Sequence, residues 1–181
     1  MDIFFTEEEN EFREEVREFV QKEIAPKAEE IERTGKYPKN LLRKLARKGY
    51  FGALHPVEYG GTGKGAVYEI IISEEIAAVS AALNSSRAAS CAMSGMAIAQ
   101  HGTEEQKRKY EVPIARGEKI CAIGITEPNV GSDVAGMETR AVRDGDEYII
   151  NGEKRFTTNG SVADVIVLFA ITDPTVRAHK G

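Results

Sequence analysis

At residues 124–133 the chain reads Gly124-Ile-Thr-Glu-Pro-Asn-Val-Gly-Ser-Asp133, and no other part of the 181-residue sequence carries more structural information. The stretch follows a short β-rich run and ends in small and hydroxyl residues, which predicts a strand that passes into a loop. Because side chains alternate between the faces of a strand, Gly124 and Thr126 should share one face, with Ile123 and Ile125 on the other. Gly124 would then leave open space beside the Thr126 hydroxyl.

The loop that closes this stretch has features of an anion-binding turn. Gly131 is able to adopt a positive φ and lets a ligand approach the backbone. Ser132 adds a hydroxyl and a backbone N–H, and exposed N–H groups beside such residues suit phosphate oxygens. Asp133 could instead cap the turn itself, so an ordinary polar turn is the competing interpretation.

A second stretch, Lys154-Arg-Phe-Thr-Thr-Asn-Gly160, repeats the pattern. As a short strand it would place Phe156 and Thr158 on one face. An aromatic face beside a hydroxyl suits a flat heterocycle with polar edges, because the ring can stack and the edge can form a hydrogen bond. For either residue alone, the competing interpretation is a core phenylalanine and a threonine that merely ends a strand.

Upstream, the sequence has the signals of helices. The capping-box pattern Thr6-Glu-Glu-Glu9 precedes apolar residues at helical spacing, which predicts an amphipathic first helix. Pro26 should mark a kink or a boundary. A second helix should begin at Pro38 or Asn40 and stop at Gly49.

The rest of residues 1–118 also predicts helix. Residues 66–101 are rich in Ala, Ile, Ser and Met and predict one or two buried helices, with a break near residues 84–86. A second capping-box pattern, Thr103-Glu-Glu-Gln106, should open a further helix. The glycine-rich residues 55–65 lack the spacing of a P-loop or a dinucleotide fingerprint, so they predict a turn between helices.

The sequence changes character at Lys119. Turn signals occur at Asp144-Gly145 and Asn151-Gly152, and residues 165–171 form a candidate buried strand. We therefore predict an α+β chain with an N-terminal all-helical bundle, residues 1–118, followed by an incomplete antiparallel β-barrel-like domain, residues 119–181. That second part has roughly sixty residues, which is short for a closed barrel.

Composition argues against several kinds of partner and cellular location. A net charge of −5 argues against nucleic acid or an anionic membrane as the main partner. Cys91 and Cys121 lie far apart with no CxxC, which favours a reduced intracellular protein. With no secretory signal pattern and no membrane-length apolar run, we expect a cytoplasmic protein without a membrane span. His55, His101 and His179 fit no triad or metal spacing, so we expect surface or loop histidines and no metal.

In order and spacing, the two quoted stretches resemble those of the acyl-CoA dehydrogenase family. Three further motifs support the resemblance: Glu58-Tyr-Gly-Gly-Thr-Gly63, Gly102-Thr-Glu-Glu-Gln106 and Thr172-Asp-Pro174. It extends from the first helix to the last residue, and the helical-then-β order agrees with the family's N-terminal and middle domains. The family's C-terminal helical domain has no counterpart before Gly181, so we expect the chain to be the front part of an enzyme.

The resemblance implies that FAD contacts both stretches. The implied cofactor-binding residues are Ile123, Gly124, Ile125, Thr126, Gly131, Ser132, Phe156, Thr157 and Thr158. Thr126 would bond near the pyrimidine edge of the isoalloxazine, and Thr158 would lie near its reactive edge. Gly131 and Ser132 would lie at the pyrophosphate, and Ser132 would also contact the CoA thioester substrate.

Two positions depart from the family pattern. Val130 stands where the family usually has a small residue, and Phe156 stands where many members have Trp. Both are tolerable, because the first affects loop packing and the second still stacks.

The implied reaction is α,β-dehydrogenation of an acyl-CoA thioester, an oxidoreductase step of fatty acid metabolism. A glutamate removes the α-proton and hydride passes from the β-carbon to the flavin. In the family that glutamate lies in the C-terminal domain, so we expect no catalytic base in this chain, and Glu127 is interpreted as structural. The implied partners are the acyl-CoA substrate, an electron-transfer acceptor, and further copies in a homo-oligomer formed through the missing C-terminal helices.

Two alternatives remain open at the level of sequence. One is a related flavin-dependent acyl-CoA oxidase or monooxygenase, and the other is a catalytically inactive truncated chain or a binding or assembly module. Arg87 adds a hypothesis about substrate: if it faced the acyl pocket, it would favour a terminal carboxylate. A solvent-facing or ion-paired arginine is the preferred interpretation.

Overall fold

The computed structural model describes residues 5–176. Its helices are α1 Glu7–Glu23, α2 Ala25–Thr34, α3 Lys39–Arg47, α4 Ala66–Ala77, α5 Ala81–Ala88, α6 Met96–His101, α7 Glu104–Gln106 and α8 Val112–Ala115. Two π-helical segments, Ala89–Gly95 and Lys107–Glu111, join α5 to α6 and α7 to α8, and 3-10 turns lie at Val57–Tyr59 and Val134–Gly136. The strands are β1 Cys121–Gly124, β2 Arg140–Asp144, β3 Glu147–Asn151 and β4 Val165–Leu168.

The helix boundaries predicted from capping patterns are confirmed. The Thr6 hydroxyl accepts a hydrogen bond from the Glu9 N–H, and the Glu9 carboxylate accepts one from the Thr6 N–H. Thr103 and Gln106 form the same reciprocal pair of capping-box hydrogen bonds. Pro26 lies in the first turn of α2, where its missing N–H costs nothing. Gly49, with φ of +78°, follows the end of α3 as expected.

The predicted break near residues 84–86 is wrong. The chain interrupts its helix earlier, between α4 and α5, where the Ser80 hydroxyl caps the new helix by accepting the Leu83 N–H at 3.3 Å. The polar residues Asn84 and Ser86 lie inside α5, and the side chains of both form hydrogen bonds. Asn84 accepts hydrogen bonds from Arg87, and Ser86 donates to a residue of the β region.

One hydrophobic core runs through the helices and into the first strand. Its buried members are Val16, Val20, Ile24, Leu42, Leu45, Tyr50, Phe51, Ala53, Ile71, Ile72, Ile76, Leu83, Cys91, Ile114 and Cys121. Val165 and Val167 of β4 pack against it. Both cysteines are reduced and buried, as predicted for packed thiols. The core therefore crosses the predicted 118/119 boundary and ties β1 and β4 to the helical layer.

The β region forms two separate two-stranded sheets. β2 and β3 are antiparallel, in register Val142 with Ile149, and the predicted turn at Asp144-Gly145 joins them. β1 and β4 are parallel, so the prediction of a purely antiparallel domain is wrong. A long excursion containing the β2–β3 hairpin separates β1 from β4, and such a crossover returns the chain in the same direction. The barrel-like arrangement stays a prediction, because the described strands form no closed sheet.

Two strand predictions need correction. Residues 154–160 form no strand; they follow a succession of turns in which Phe156 and Asn159 have φ of +54° and +67°. The strand predicted over 165–171 ends at Leu168, with Ile171 making only an isolated bridge to Arg140. It is also not fully buried, because its residues alternate between half-buried and exposed.

Across residues 5–176 we find no helix with the length and apolar character that a membrane crossing requires.

Candidate functional site

A cleft lies where the π-helical segment Ala89–Gly95 meets the end of β1. Its volume is about 140 Å³, and its lining residues are Ala89, Met93, Ile123, Ile125, Thr126, Arg155, Phe156 and Thr158. One wall is helical, one is the end of β1, and the third is the irregular segment that follows Lys154. The three walls come from parts of the sequence far apart, so only the folded chain assembles them.

Glu127 fixes the backbone just beyond β1. One carboxylate oxygen accepts the Glu138 N–H at 2.6 Å; the other accepts the Thr139 N–H at 3.0 Å and the Lys154 ammonium at 2.7 Å. Lys154 also donates to the Ile125 carbonyl at 3.1 Å. The pair thereby holds the end of β1 against the third wall of the cleft, and these contacts are those of a residue that shapes the backbone.

The same contacts set the protonation of Glu127. Burial by itself would raise the pKa of this carboxyl, which is 3% exposed. The hydrogen bond from the Lys154 ammonium and those from the two backbone N–H groups outweigh burial and hold the pKa at about 2. The carboxylate is therefore charged at neutral pH with its acceptor positions occupied.

Phe156 has the most unusual conformation in the cleft. It combines a left-handed backbone with a side chain that is 90% exposed. Both features are unfavourable for a phenylalanine, because a bulky side chain is strained at positive φ and an exposed ring gains nothing from burial. Such strain is typical of a segment shaped to receive a ligand or a partner.

Two hydroxyl groups at the cleft have no hydrogen-bond partner among the described residues. They belong to Thr126, which follows β1, and to Thr158, which follows Phe156. The Thr126 backbone is anchored, since its carbonyl accepts the Arg155 N–H at 2.8 Å. The cleft thus offers two unused polar groups on a fixed backbone, beside the apolar side chains of Ile123 and Ile125.

The structure brings together five of the nine residues predicted to bind a cofactor. These five are Ile123, Ile125, Thr126, Phe156 and Thr158. Thr126 lines the same cleft as the two isoleucines instead of the opposite face, because β1 ends at Gly124 and strict alternation ends with it. Phe156 and Thr158 share the cleft as predicted, although a turn and not a strand places them there.

The other four predicted residues lie outside the cleft. Gly124 offers no open space, because a Cβ there would meet Leu168 at 3.1 Å and Lys154 at 3.3 Å. Gly131 and Ser132 lie on an exposed turn; Gly131 does not have a positive φ, but nothing lies within 4 Å of the position its Cβ would take. Thr157 is half-buried beside the cleft and does not line it.

Sequence reasoning missed the helical wall and the residues that hold the cleft in shape. Ala89 and Met93, one turn apart, had no sequence signal that distinguished them from other residues of an Ala- and Ser-rich helix. Lys154 was recognised only as part of a motif. A lysine three residues after the end of a strand does not reveal that it will pair with a glutamate 27 positions earlier.

The contacts of Arg87 in the helical core decide between the two interpretations of this residue. Arg87 is fully buried and donates to the Glu69 carboxylate at 2.6 Å and to the Tyr50 carbonyl at 2.8 Å, so the ion-paired interpretation is confirmed. With its donors engaged inside the helices, it does not face an acyl pocket.

The histidines differ from one another. His55 is not on the surface: it is fully buried in its loop, with Nδ1 3.1 Å from the Glu111 carboxylate and Nε2 3.0 Å from the Cys91 carbonyl. His101 is exposed, and His179 lies outside the described residues. Within residues 5–176, no three His, Cys, Asp or Glu side chains are grouped so as to hold a metal ion.

A larger groove of about 680 Å³ runs between α6 and the open edge of β4. It is bordered by the exposed side chains of Ile166, Leu168 and Phe169. We place the functional site at the smaller cleft, because the strained aromatic residue and the two unused hydroxyls converge there, whereas the groove is a sheet edge beside a helix.

Two family models match consecutive parts of the chain. The family model described as acyl-CoA dehydrogenase, N-terminal domain, matches residues 6–118, and that for the middle domain matches residues 122–181. The short-chain-specific acyl-CoA dehydrogenase of Clostridium acetobutylicum is 45% identical over 181 residues, covering 100% of this chain and 48% of the relative.

Solved structures give the same result. The acyl-CoA dehydrogenase of Geobacillus kaustophilus matches with a TM-score of 0.91 and 37% identity, covering 100% of this chain and 48% of that one. A glutaryl-CoA dehydrogenase from Mycobacterium smegmatis in complex with FADH2 matches with a TM-score of 0.91 and 34% identity, covering 96% and 45%. The chain thus spans about half the length of the proteins it resembles.

Proposed function

The chain belongs to the acyl-CoA dehydrogenase family, and from this premise we propose that it supplies the N-terminal helical part and the flavin-binding segments of an FAD-dependent acyl-CoA dehydrogenase. The observation that carries the proposal is the cleft itself. Its exposed, left-handed Phe156 is a costly feature for an unliganded surface, and its two unused threonine hydroxyls are available to the edge of a flat, polar-edged ring.

The residues present fit a flavin. Ile123 and Ile125 offer an apolar wall, Phe156 an aromatic face, and the hydroxyls of Thr126 and Thr158 hydrogen-bonding groups for a ring edge. At about 140 Å³ the cleft is smaller than the roughly 300 Å³ of a pocket that encloses a ligand, so it would cover one part of the cofactor only.

The exposed turn at Gly131 and Ser132 is the second proposed contact. The open space at Gly131 allows a phosphate to approach the backbone, and the Ser132 hydroxyl and N–H are accessible. We assign Ser132 to the pyrophosphate and to the thioester tail of the acyl-CoA substrate. Gly124 and Thr157 take supporting roles, the first by letting Lys154 pass and the second by shaping the Thr158 turn.

FAD, when bound, supplies the acceptor for the hydride that leaves the β-carbon of the thioester. The residues of this chain bind and orient the ring and shield one part of it from water. None of them serves as the base that removes the α-proton. Glu127 is unsuited to that role, because its carboxylate is buried, its oxygens are occupied and its pKa is held at about 2, far from the range of an efficient base at neutral pH.

The remaining proposals concern partners and organisation. We propose an acyl-CoA substrate, an electron-transfer acceptor and a homo-oligomeric enzyme, with residues 1–118 and 119–181 contributing to separate domains. What supports assembly is the apolar surface that the β2–β3 hairpin exposes at Val142, Tyr148, Ile149 and Ile150. A hairpin with apolar side chains exposed on both faces needs further protein to cover it.

The test uses the purified protein that contains residues 1–181. FAD is titrated in while flavin fluorescence is followed, and NAD serves as a control dinucleotide without a flavin ring. Then an acyl-CoA and a dye acceptor are added, and dye reduction is measured. We expect saturable FAD binding, but residues 1–181 by themselves should show no acyl-CoA-dependent dye reduction, because none of them serves as the base. Failure to bind FAD would overturn the assignment of the cleft.

A further inference from the structure

Asn159 lies where three parts of the molecule meet. Its side-chain nitrogen donates to the Ser86 carbonyl of α5 at 2.8 Å and to the Cys121 carbonyl of β1 at 3.2 Å. Its side-chain oxygen accepts the Ser86 hydroxyl at 2.6 Å. One amide therefore fastens the segment after Phe156 to a helix and to a strand, each far away in the sequence.

The chemistry of this junction selects asparagine. Two of the partners are carbonyls, which only accept, and the third is a hydroxyl placed to donate, so the orientation of the amide is determined by its contacts. The backbone of Asn159 has φ of +67°, a conformation that asparagine tolerates better than most residues. Aspartate would face two carbonyl oxygens with a negative charge, and glycine would keep the conformation but lose all three hydrogen bonds.

At this junction, both backbone polar groups of Cys121 in β1 form hydrogen bonds with side chains. The Cys121 N–H donates to the Ser90 hydroxyl at 2.8 Å, while the Cys121 carbonyl accepts from Asn159. Ser90 belongs to the π-helical segment that forms the helical wall of the cleft. Asn159 is thus attached to a rigid and buried frame, not to another loop.

The segment that carries Phe156 and Thr158 depends on this attachment. It belongs to no sheet, and its upstream anchor is the hydrogen bond from the Arg155 N–H to the Thr126 carbonyl at 2.8 Å. Asn159 is its downstream anchor. The two cleft residues lie between these fixed points, so the anchors determine where an aromatic ring and a hydroxyl stand.

We propose that Asn159 is a positioning residue, which through its hydrogen bonds to Ser86 and Cys121 holds Phe156 and Thr158 against the bound flavin. This inference rests on the proposed function of the cleft. Asn159 acts through its neighbours and does not line the cleft itself.

The experiment compares the wild-type protein with S86A, N159G and N159D, and with S85A as the matched control. Ser85 is the exposed neighbour of Ser86 on the same helix, and its hydroxyl has no hydrogen-bond partner among the described residues. In the holoenzyme we measure FAD affinity and the absorption and circular dichroism spectra of the bound flavin. In the apoprotein we measure tryptic cleavage after Lys154 and Arg155, which needs no cofactor.

We expect an ordered series. S85A should match the wild type, S86A should weaken FAD binding several-fold, and N159G should weaken it about tenfold, the effect of about 1.4 kcal/mol. N159D should be the most severe, and both Asn159 variants should change the flavin spectra and accelerate cleavage. Because Ser86 acts through Asn159, adding S86A to N159G should change FAD affinity by less than S86A does alone.

The outcomes separate the two proposals. If the wild type binds no FAD, the proposed function fails, while tryptic cleavage of the apoprotein still tests the anchor. If the wild type binds FAD and the variants are cleaved faster but keep its affinity and spectra, Asn159 is only structural and the positioning role is overturned. Unchanged cleavage, affinity and spectra in S86A, the mildest variant, and in N159G would also overturn it.

Discussion

Thr126 and Thr158 are the two residues at which the cleft offers unused hydrogen-bonding capacity. Replacing both by valine keeps their shape and removes only the hydroxyls. If each bonds the flavin ring with a net contribution of about 1 kcal/mol, the double variant should bind FAD roughly thirtyfold more weakly. Fluorescence titration measures the affinity, and the absorption spectrum reports the ring environment.

The matched control is T172V, which removes an exposed threonine hydroxyl outside the cleft. We expect wild-type affinity and spectrum from it. An unchanged affinity and spectrum in the T126V/T158V protein would remove these residues from the site.

The negative charge of Glu127 contributes to the stability of the fold. Its pKa is lowered from an ordinary 4.5 to about 2, so its contribution to stability is complete above about pH 4.5 and is lost as the pH falls towards 2. E127Q leaves the ammonium of Lys154 without its anion. It should cost about 3 kcal/mol of unfolding free energy at neutral pH.

Urea unfolding at pH 7 and pH 3 checks this expectation. The stability difference between wild type and E127Q should shrink at pH 3, where part of the wild-type advantage has been lost. A difference as large at pH 3 as at pH 7 would show that the carboxylate is not stabilised by its charge.

At the scale of elements, the π-helical segment Ala89–Gly95 packs so closely on the loop of His55 that its last residue has to be small. A Cβ on Gly95 would meet the His55 ring at 3.0 Å and Ile114 at 3.1 Å. His55 is buried and held by two hydrogen bonds, so it has little room to move. G95A should therefore lose stability, even though alanine ordinarily gains about 1 kcal/mol over glycine in a helix.

We expect a net loss of about 1 kcal/mol, since overpacking costs 1–3 kcal/mol. Chemical denaturation gives the value, and G131A serves as the control because its new methyl group meets nothing within 4 Å. Stabilisation by G95A would mean that the loop of His55 yields easily.

The elements that the sequence predicts well are those whose cause is local. The capping box at Thr6 and the turn at Gly145 involve residues within four positions of each other, and both are correctly placed. The break near Asn84 was misplaced because Asn84 and Ser86 bind partners in the folded core instead of breaking the helix. The missing second strand has the same cause, since its residues are held by Thr126 and Ser86, which are remote in sequence.

For the site, the sequence predicts which residues carry the chemistry better than it predicts where those residues lie. The resemblance singles out Thr126, Phe156 and Thr158, and the structure places all three at one cleft. It does not predict Met93 on the facing wall or the anchoring role of Asn159, because neither follows from spacing along a strand.

At the scale of the whole molecule, the strands differ in how firmly they belong to the core. Cys121 and Ala122 of β1 are fully buried against the helices, whereas every residue of β3 is exposed. Amide protons of β1 should therefore exchange only through opening of the helical core, while those of the β2–β3 hairpin should exchange much sooner. Hydrogen exchange followed by mass spectrometry distinguishes the two; equal protection would show that the hairpin unfolds together with the core.

Because both thiols are buried, the rate at which they are alkylated reports how often the protein opens. Burial raises the pKa of Cys91 to about 12 and also raises that of Cys121, so a thiol reagent has almost no reactive thiolate to attack in the closed protein. Alkylation must wait for an opening event. Cys91 lies in the helical wall of the cleft and Cys121 at the start of β1, so any ligand that holds these walls together should slow the alkylation of both. Occupancy of the site could then be timed from two native sulfur atoms, without an attached probe.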